Sequence, residues 1–239
     1  MSHALLLAAG RATRLGAIRE QYAKACVPIG GTTPLRFLLE SFATAGYENL
    51  WINTHYRAEQ VREHARAVAP SGLRLHFLHE PSLLGTGGTL LHLWKEHGVL
   101  PHAVANAKMF TDYPFAQLRD AAEGTLVLHP ASSLSTFGGL SYTAQGKVLG
   151  LHARDKNLVR GEQAAVFTGI YRPHASWLES LQAEKNQKPD ALLCTVRHGL
   201  LRHLDSAQVQ LHSGLWCEVS TPERVQQAEV RLRQRAASS

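Results

Sequence analysis

The stretch LLLAAGRATRLGAIREQYAKACVPIGG, residues 5–31, holds the residues best suited to handling an anion. An apolar run closes in Ala8-Ala9-Gly10, and the small-residue loop that follows supplies Arg14, with Lys24 ten positions further on. Small residues at the end of a buried strand let backbone N–H groups approach a phosphate closely, and two cations can clamp it. The same stretch also reads as an ordinary strand-to-helix turn with surface Arg and Lys, and spacing alone does not decide between the two. Cys26 follows Lys24 closely, but no base stands near it in sequence, so it reads as a core thiol rather than a nucleophile.

A second stretch, HAVANAKMFTDYPF at 102–115, is an apolar run that breaks into Asn106-Ala107-Lys108 before a polar turn containing Asp112. A lysine at the mouth of a buried strand is costly unless something negative sits opposite it. Asp112 reads equally as a turn former and as a ligand. None of the 14 histidines shows HxH or HExxH spacing, and Cys26, Cys194 and Cys217 form no CxxC pair. A zinc site or a disulfide framework is therefore not expected, and reduced thiols suit a cytoplasmic protein.

The elements that must position these residues follow from periodicity. Ala4–Ala9 is a fully apolar strand, 34–45 a helix with a stripe of Leu35, Leu38, Leu39 and Phe42, 49–53 a second strand and 58–68 a second helix. A strand at 73–78, a helix at 85–97 and a strand at 102–105 complete an alternation that predicts a single α/β domain with a doubly wound, mostly parallel sheet. Beyond residue 124 come a strand at 126–129, a hairpin over 138–150, a strand at 165–171 and a helix at 175–183. These read as a small mixed β region. In the last segment Thr221 is the expected N-cap and Pro222 the first helical residue. With 239 residues, 44% hydrophobic and 18% charged, the chain suits one domain with a substantial core. No apolar run reaches membrane-spanning length, so no membrane association is expected. A net charge of +6 favours an anionic partner, but the basic residues are scattered, with one helical cluster at 224–235, so nucleic acid is not the expected one.

Together these motifs resemble those of the sugar-1-phosphate nucleotidyltransferases, of nucleotide-diphospho-sugar transferase fold. Residues 5–31 are similar to that family's opening motif LAAGxGTRLxPxT…PKxLxPVxG. EPSLLGTGGTLLHLW (80–94) resembles its base-recognition loop, ANAKMFTDYPF (105–115) its metal loop, FTGIYRP (167–173) its sugar-site strand and WCEVSTPERVQQAE (216–229) its DVGTPERLxxAE motif. The nearest subgroup is the bacterial muramate- and mannose-1-phosphate uridylyl- and guanylyltransferase type. The resemblance implies in-line attack of a sugar-1-phosphate, or a related small phosphate, on the α-phosphorus of UTP, CTP or GTP. It implies that Arg14 contacts the leaving pyrophosphate and Lys24 the reacting phosphates. Leu7, Ala8, Ala9, Gly10, Arg11, Ala12, Thr13, Glu80, Gly85, Thr86 and Asn106 would surround the nucleotide. Gly139, Glu162, Thr168 and Gly169 would surround the sugar. Residues 1–115 would form the nucleotide-binding half and 116–239 the sugar-phosphate half, in a monomer or a homodimer.

The chain departs from that pattern where the chemistry is done. Lys108 stands in place of the first Mg2+-binding aspartate, Glu218 in place of the second, and Ser220 in place of a glycine. Alanines replace a glycine at 12 and prolines at 17 and 23. Alanine at 12 is expected to exclude a positive φ and to bring a methyl toward the phosphates. Three readings of Lys108 stay open. Its ammonium replaces the metal, pairing with Glu218 and then with a phosphate; or the centre is silent and the protein binds a nucleotide or sugar nucleotide as a regulatory or assembly module; or Lys108 turns outward and Asp112 supplies a metal ligand. A glycosyltransferase-like or structural subunit is a further alternative.

Overall fold

The computed structural model describes residues 1–130, 132–154 and 157–238. In chain order the strands are β1 (His3–Leu7), β2 (Asn49–Thr54), β3 (Arg74–His79), β4 (Ala103–Asn106), β5 (Met109–Thr111), β6 (Thr125–His129), β7 (Gly139–Tyr142), β8 (Val148–His152), β9 (Gln163–Tyr171), β10 (Gln208–Leu211) and β11 (Trp216–Glu218). The helices are α1 (Ile18–Gln21), α2 (Pro34–Thr44), α3 (Ala58–Val68), α4 (Gly85–His97), α5 (Phe115–Asp120), α6 (Leu134–Phe137), α7 (Ala175–Gln187) and α8 (Pro222–Ser238). This is the expected α/β class, with a mixed, mostly parallel sheet and a small antiparallel β region. Among the described residues no helix is long and apolar enough to cross a membrane.

The chain divides into two compact units. The first gathers residues 1–83, 105–116 and 214–239. Its strands β1, β2 and β3 run parallel, with Leu5 opposite Trp51 and Ile52 opposite Phe77. Every residue of β2 is buried, as a parallel strand covered on both faces requires. Thr33 caps α2 by accepting the Arg36 N–H, Pro34 occupies its first turn, and Leu35, Leu38, Leu39 and Phe42 are fully buried along one stripe. Each such side chain stabilises the fold by about 1.5–3 kcal/mol.

A two-stranded antiparallel ribbon of β5 and β11 completes this unit, pairing Met109 with Glu218, Phe110 with Cys217 and Thr111 with Trp216. The ribbon strands have three residues each, too few to show a period in sequence. Phe110, Cys217 and Val219 join Ala12, Leu15, Val27, Ile29 and Ala228 in a local core. Ala12 corrects the expectation made for it. Its φ is +55°, so the left-handed conformation is kept, and its methyl, 2% exposed, enters this core instead of turning toward a ligand. Non-glycine residues resist that conformation by about 1–2 kcal/mol, and burial of the methyl offsets part of it.

The second unit holds residues 84–104 and 117–213. Here β6 pairs antiparallel with β9 and parallel with β10, while β7 pairs with both β8 and β9. The hairpin expected over 138–150 is β7–β8, its turn closed by the Gly146 N–H on the Thr143 carbonyl. Helix α7 runs four residues beyond its expected end and buries Trp177, Leu178 and Leu181. A five-residue π turn at Thr195–Gly199 was not anticipated, because no sequence period marks it.

Candidate functional site

Strand β1 ends two residues earlier than its apolar run suggests, for a reason that shapes the site. The N–H groups of Ala8 and Ala9 both donate to the Asn53 side-chain oxygen, at 2.6 and 3.2 Å, instead of continuing a ladder. Asn53 in turn donates to the carboxylate of Glu80, which is 1% exposed, at 2.8 Å. This chain fixes the point at which the loop leaves the strand. Two of the N–H groups offered to an anion by the sequence reading are thereby taken. Gly10, Arg11 and Thr13 remain exposed beyond them, and a Cβ at Gly10 would meet nothing within 4 Å.

A 3-10 turn over Thr13–Leu15 presents Arg14, whose Nη2 lies 3.9 Å from Glu218 Oε1. The half-buried Lys24 starts a second such turn, and its side chain makes no hydrogen bond or ion pair among the described residues. Burial, with Lys108 and Arg14 adding repulsion against the weaker pull of Glu218, lowers the Lys24 ammonium to about 8. Burial also raises the Cys26 thiol to about 12, consistent with an inert core residue.

Lys108 is held by backbone on both sides. Its N–H donates to Asn106 O at 2.8 Å, Ala107 N–H donates to Leu7 O at 3.1 Å, and its own carbonyl accepts from Val219 N–H at 2.7 Å. The ribbon register brings the residue preceding Met109 alongside the end of β11, and Lys108 Nζ lies 2.5 Å from Glu218 Oε1. The other carboxylate oxygen accepts from Ser220 Oγ at 2.6 Å and from the Arg224 guanidinium. The Glu218 side chain is 8% exposed. Burial alone would push its carboxyl up, but the Lys108 charge and hydrogen bond, the Ser220 hydroxyl and Arg224 hold it at about 2. Thr221 accepts from Arg224 N–H at 3.4 Å and Pro222 opens α8, the cap expected from the sequence. That cap turns Arg224 back toward the strand end.

Four cations, Arg14, Lys24, Lys108 and Arg224, thus act on one carboxylate. The excess positive charge is a ready site for phosphate oxygens. Arg224 and Ser220, which contact Glu218, were not among the expected site residues, although the Thr-Pro-Glu-Arg run already held the signal: a capped helix start places its third residue beside the cap.

The donor set does not fit magnesium. Glu218 is committed to an ammonium and a guanidinium, and Lys108 puts a cation where a second oxygen ligand would stand. Asp112 accepts from Arg235 at 2.8 Å on α8. Among the described residues no group of three His, Cys, Asp or Glu side chains is arranged to hold a metal ion.

The remaining predicted residues belong to the second unit. Gly85 opens α4 at φ +78°, where a Cβ would stand 2.4 Å from Leu193 O. Thr86 Oγ1 accepts from Thr195 N–H at 3.1 Å, so this loop is pinned to the π turn. Thr168 donates to Val127 O at 2.7 Å, and Gly169, at φ +80°, lies where the β6–β9 register shifts. Gly139 begins β7, and Glu162 closes a turn before β9 through its N–H on Val159 O. His129 is buried and bonded to Ser132 at 2.9 Å.

Residues 4–129, more than half of the chain, match the model of the MobA-like NTP transferase domain. The chain belongs to this family. Among curated relatives, this NTP-transferase chain is 26% identical over 230 residues to mannose-1-phosphate guanylyltransferase catalytic subunit beta of Drosophila pseudoobscura pseudoobscura, covering 93% of the chain and 60% of the fly protein. It therefore spans about three fifths of that relative's length. It is 25% identical over 230 residues to N-acetylmuramate alpha-1-phosphate uridylyltransferase of Neisseria meningitidis serogroup B, covering 95% of the chain and 96% of the relative. The crystal structure of HddC from Yersinia pseudotuberculosis complexed with GMP-PN superposes with a TM-score of 0.77 at 17% identity, over 97% of this chain and 99% of that one, a likeness of fold.

Proposed function

We propose that the protein transfers a nucleotidyl group from UTP, CTP or GTP to a sugar-1-phosphate or related small phosphate, yielding an NDP-sugar and pyrophosphate. The observation that carries this reading is the four-cation cluster around Glu218, with Lys108 Nζ 2.5 Å from the carboxylate. An acceptor phosphate oxygen attacks the α-phosphorus, a new P–O bond forms, and the bond to the β-phosphate breaks with its electron pair leaving on pyrophosphate. There is little covalent work for the protein beyond alignment and charge neutralisation. Arg14 receives the pyrophosphate. Lys24 and Lys108 take the α-phosphate oxygens, Lys108 exchanging Glu218 for phosphate, so that an ammonium does what a metal ion does in the enzymes the chain resembles. Leu7 to Thr13, Glu80, Gly85, Thr86 and Asn106 shape the nucleotide site, and Gly139, Glu162, Thr168 and Gly169 the sugar site. The protein works in the cytoplasm, as a monomer or homodimer, on acceptors of the muramate- or mannose-1-phosphate type.

A second reading is favoured by one specific observation: both Glu218 oxygens already have cationic partners. On that reading the chain binds a nucleotide or sugar nucleotide without turnover. Pyrophosphate release, measured with each NTP and with glucose- or mannose-1-phosphate in magnesium and in EDTA, separates the two. Release that persists in EDTA supports the transferase. Saturable NTP binding without release supports the binding module, and neither one sinks both.

A further inference from the structure

Between Arg14 and Lys24 the chain makes a short excursion whose own backbone does little to place it. Among the described residues, its backbone–backbone hydrogen bonds close within the excursion: Leu15 N–H on Ala12 O, Arg19 on Gly16 O, Glu20 on Ala17 O, Tyr22 on Ile18 O and Cys26 on Ala23 O. Leu15, Ile18 and Tyr22 pack against the local core that holds Ala12 and Phe110. Apolar packing is non-directional, so it does not by itself fix where the two cations stand.

The direction comes from the start of α3. Tyr56 Oη donates to Arg19 O at 2.7 Å, and Arg57 Nε donates to the same carbonyl at 3.2 Å. Arg57 Nη2 donates to Glu20 O, and Gln60 Nε2 to Gln21 O at 2.8 Å. These are the last carbonyls of α1, which a helix leaves without partners of its own. Gln60 Oε1 then accepts from Ala23 N–H at 2.5 Å, immediately before Lys24. The Arg19 and Arg57 guanidiniums also stand 5.2 and 5.7 Å from the centre of the Tyr56 ring. A separate observation marks the same stretch. Among the described residues, the non-glycine residues at positive φ are Ala12, at +55°, and Arg57, at +50°. One opens the excursion and the other grips it. Residues kept in that conformation cluster at functional sites, where the contacts around them over-determine it.

We propose that Tyr56, Arg57 and Gln60 are positioning residues that hold Arg14 and Lys24 at one spacing for the phosphates of a ligand. Their hydrogen bonds to the excursion go to its backbone, so they act on both cations at once. A displacement of about 1 Å in such a group costs on the order of a hundredfold in rate. The identity of the ligand as a polyphosphate rests on the proposed function, whose phosphate site these residues shape.

Gln60→Ala, Arg57→Gly and Glu59→Ala test this in two measurements. Arg57→Gly keeps the left-handed backbone at no steric cost while removing the guanidinium. Glu59, on the same helix, pairs with Arg62 and serves as the control. The first measurement follows acylation of Lys24 against pH by mass spectrometry, without ligand. Burial, Lys108 and Arg14, against Glu218, hold this ammonium at about 8. A loosened excursion admits water and parts the cations, so the midpoint should rise toward the ordinary 10.5 in Gln60→Ala and Arg57→Gly but not in Glu59→Ala. The second is calorimetric titration of pyrophosphate below the melting range. Affinity should fall about tenfold or more in the first two variants and stay unchanged in the control. Arg57→Lys, which can donate but lacks the planar fork, should recover part of the loss. Variants that lose only melting temperature, with the wild-type midpoint and affinity, overturn the positioning role. A wild-type protein that binds no pyrophosphate loses the proposed function instead, and the Lys24 midpoint then decides the positioning role by itself.

Discussion

Lys108 and Glu218, 110 positions apart, form an ion pair at 2.5 Å because a three-residue ribbon sets one beside the other. The pair has the unusual feature that its carboxylate is outnumbered, with Arg224 and Arg14 also acting on it. Removing the carboxylate should therefore hurt more than removing one cation.

Glu218→Gln should lower stability by about 2–3 kcal/mol, less than the roughly 3–5 kcal/mol of a fully buried pair because Lys108 keeps some solvent. Pyrophosphate should restore part of that loss by supplying the missing negative charge. Urea melts of both proteins with and without pyrophosphate test this. An unchanged midpoint for the variant would mean that the pair contributes nothing.

The same carboxylate should make stability depend on acid. Its folded value of about 2 lies below the ordinary 4.5, so the unfolded chain binds more protons between those values. The Glu218 contribution is complete above pH 4.5 and is lost as pH falls toward 2. The wild-type protein should show a steeper loss than Glu218→Gln across that window, and parallel curves would refute the assignment.

Lys24 has the opposite logic. Its ammonium is lowered to about 8 by burial, Lys108 and Arg14 against Glu218, so stability should rise with pH from 8 toward the ordinary 10.5. A bound triphosphate supplies negative charge and raises that value again. Binding of UTP at pH 8 should take up roughly half a proton per site, read by calorimetry in buffers of different ionisation enthalpy. Lys24→Met should abolish the uptake.

Lys108→Asp should place two carboxylates side by side at the end of the ribbon. Millimolar magnesium should then raise the melting temperature of the variant and leave the wild type unaffected. A variant that folds but shows no magnesium response would show that position 108 does not face a cation site.

Gly85→Ala should cost about 2–4 kcal/mol, because the new Cβ meets Leu193 O at 2.4 Å at a φ of +78°. Gly98→Ala, at φ +66° with nothing within 4 Å, should cost only about 1 kcal/mol. Equal melting temperatures for the two variants would refute the close approach.

What the sequence revealed depended on how local each signal is. The stripe of α2 and the apolar run of β1 lie within a few residues of themselves, so period alone finds them. The pairing of Lys108 with Glu218 was one of three readings the sequence left open, and it was within reach because the resemblance aligned both positions. Asn53 was not, since its amide serves the N–H groups of residues 45 and 44 positions away. Ala12 misled because propensity describes an isolated residue, while its left-handed turn is set by the core around its methyl.

The cation cluster draws on three separate stretches, with Glu218, Ser220 and Arg224 coming from the segment 214–239. A chain still being translated therefore holds Arg14, Lys24 and Lys108 before the carboxylate that offsets their mutual repulsion has been made, and the three positive charges are balanced only when Glu218 joins them.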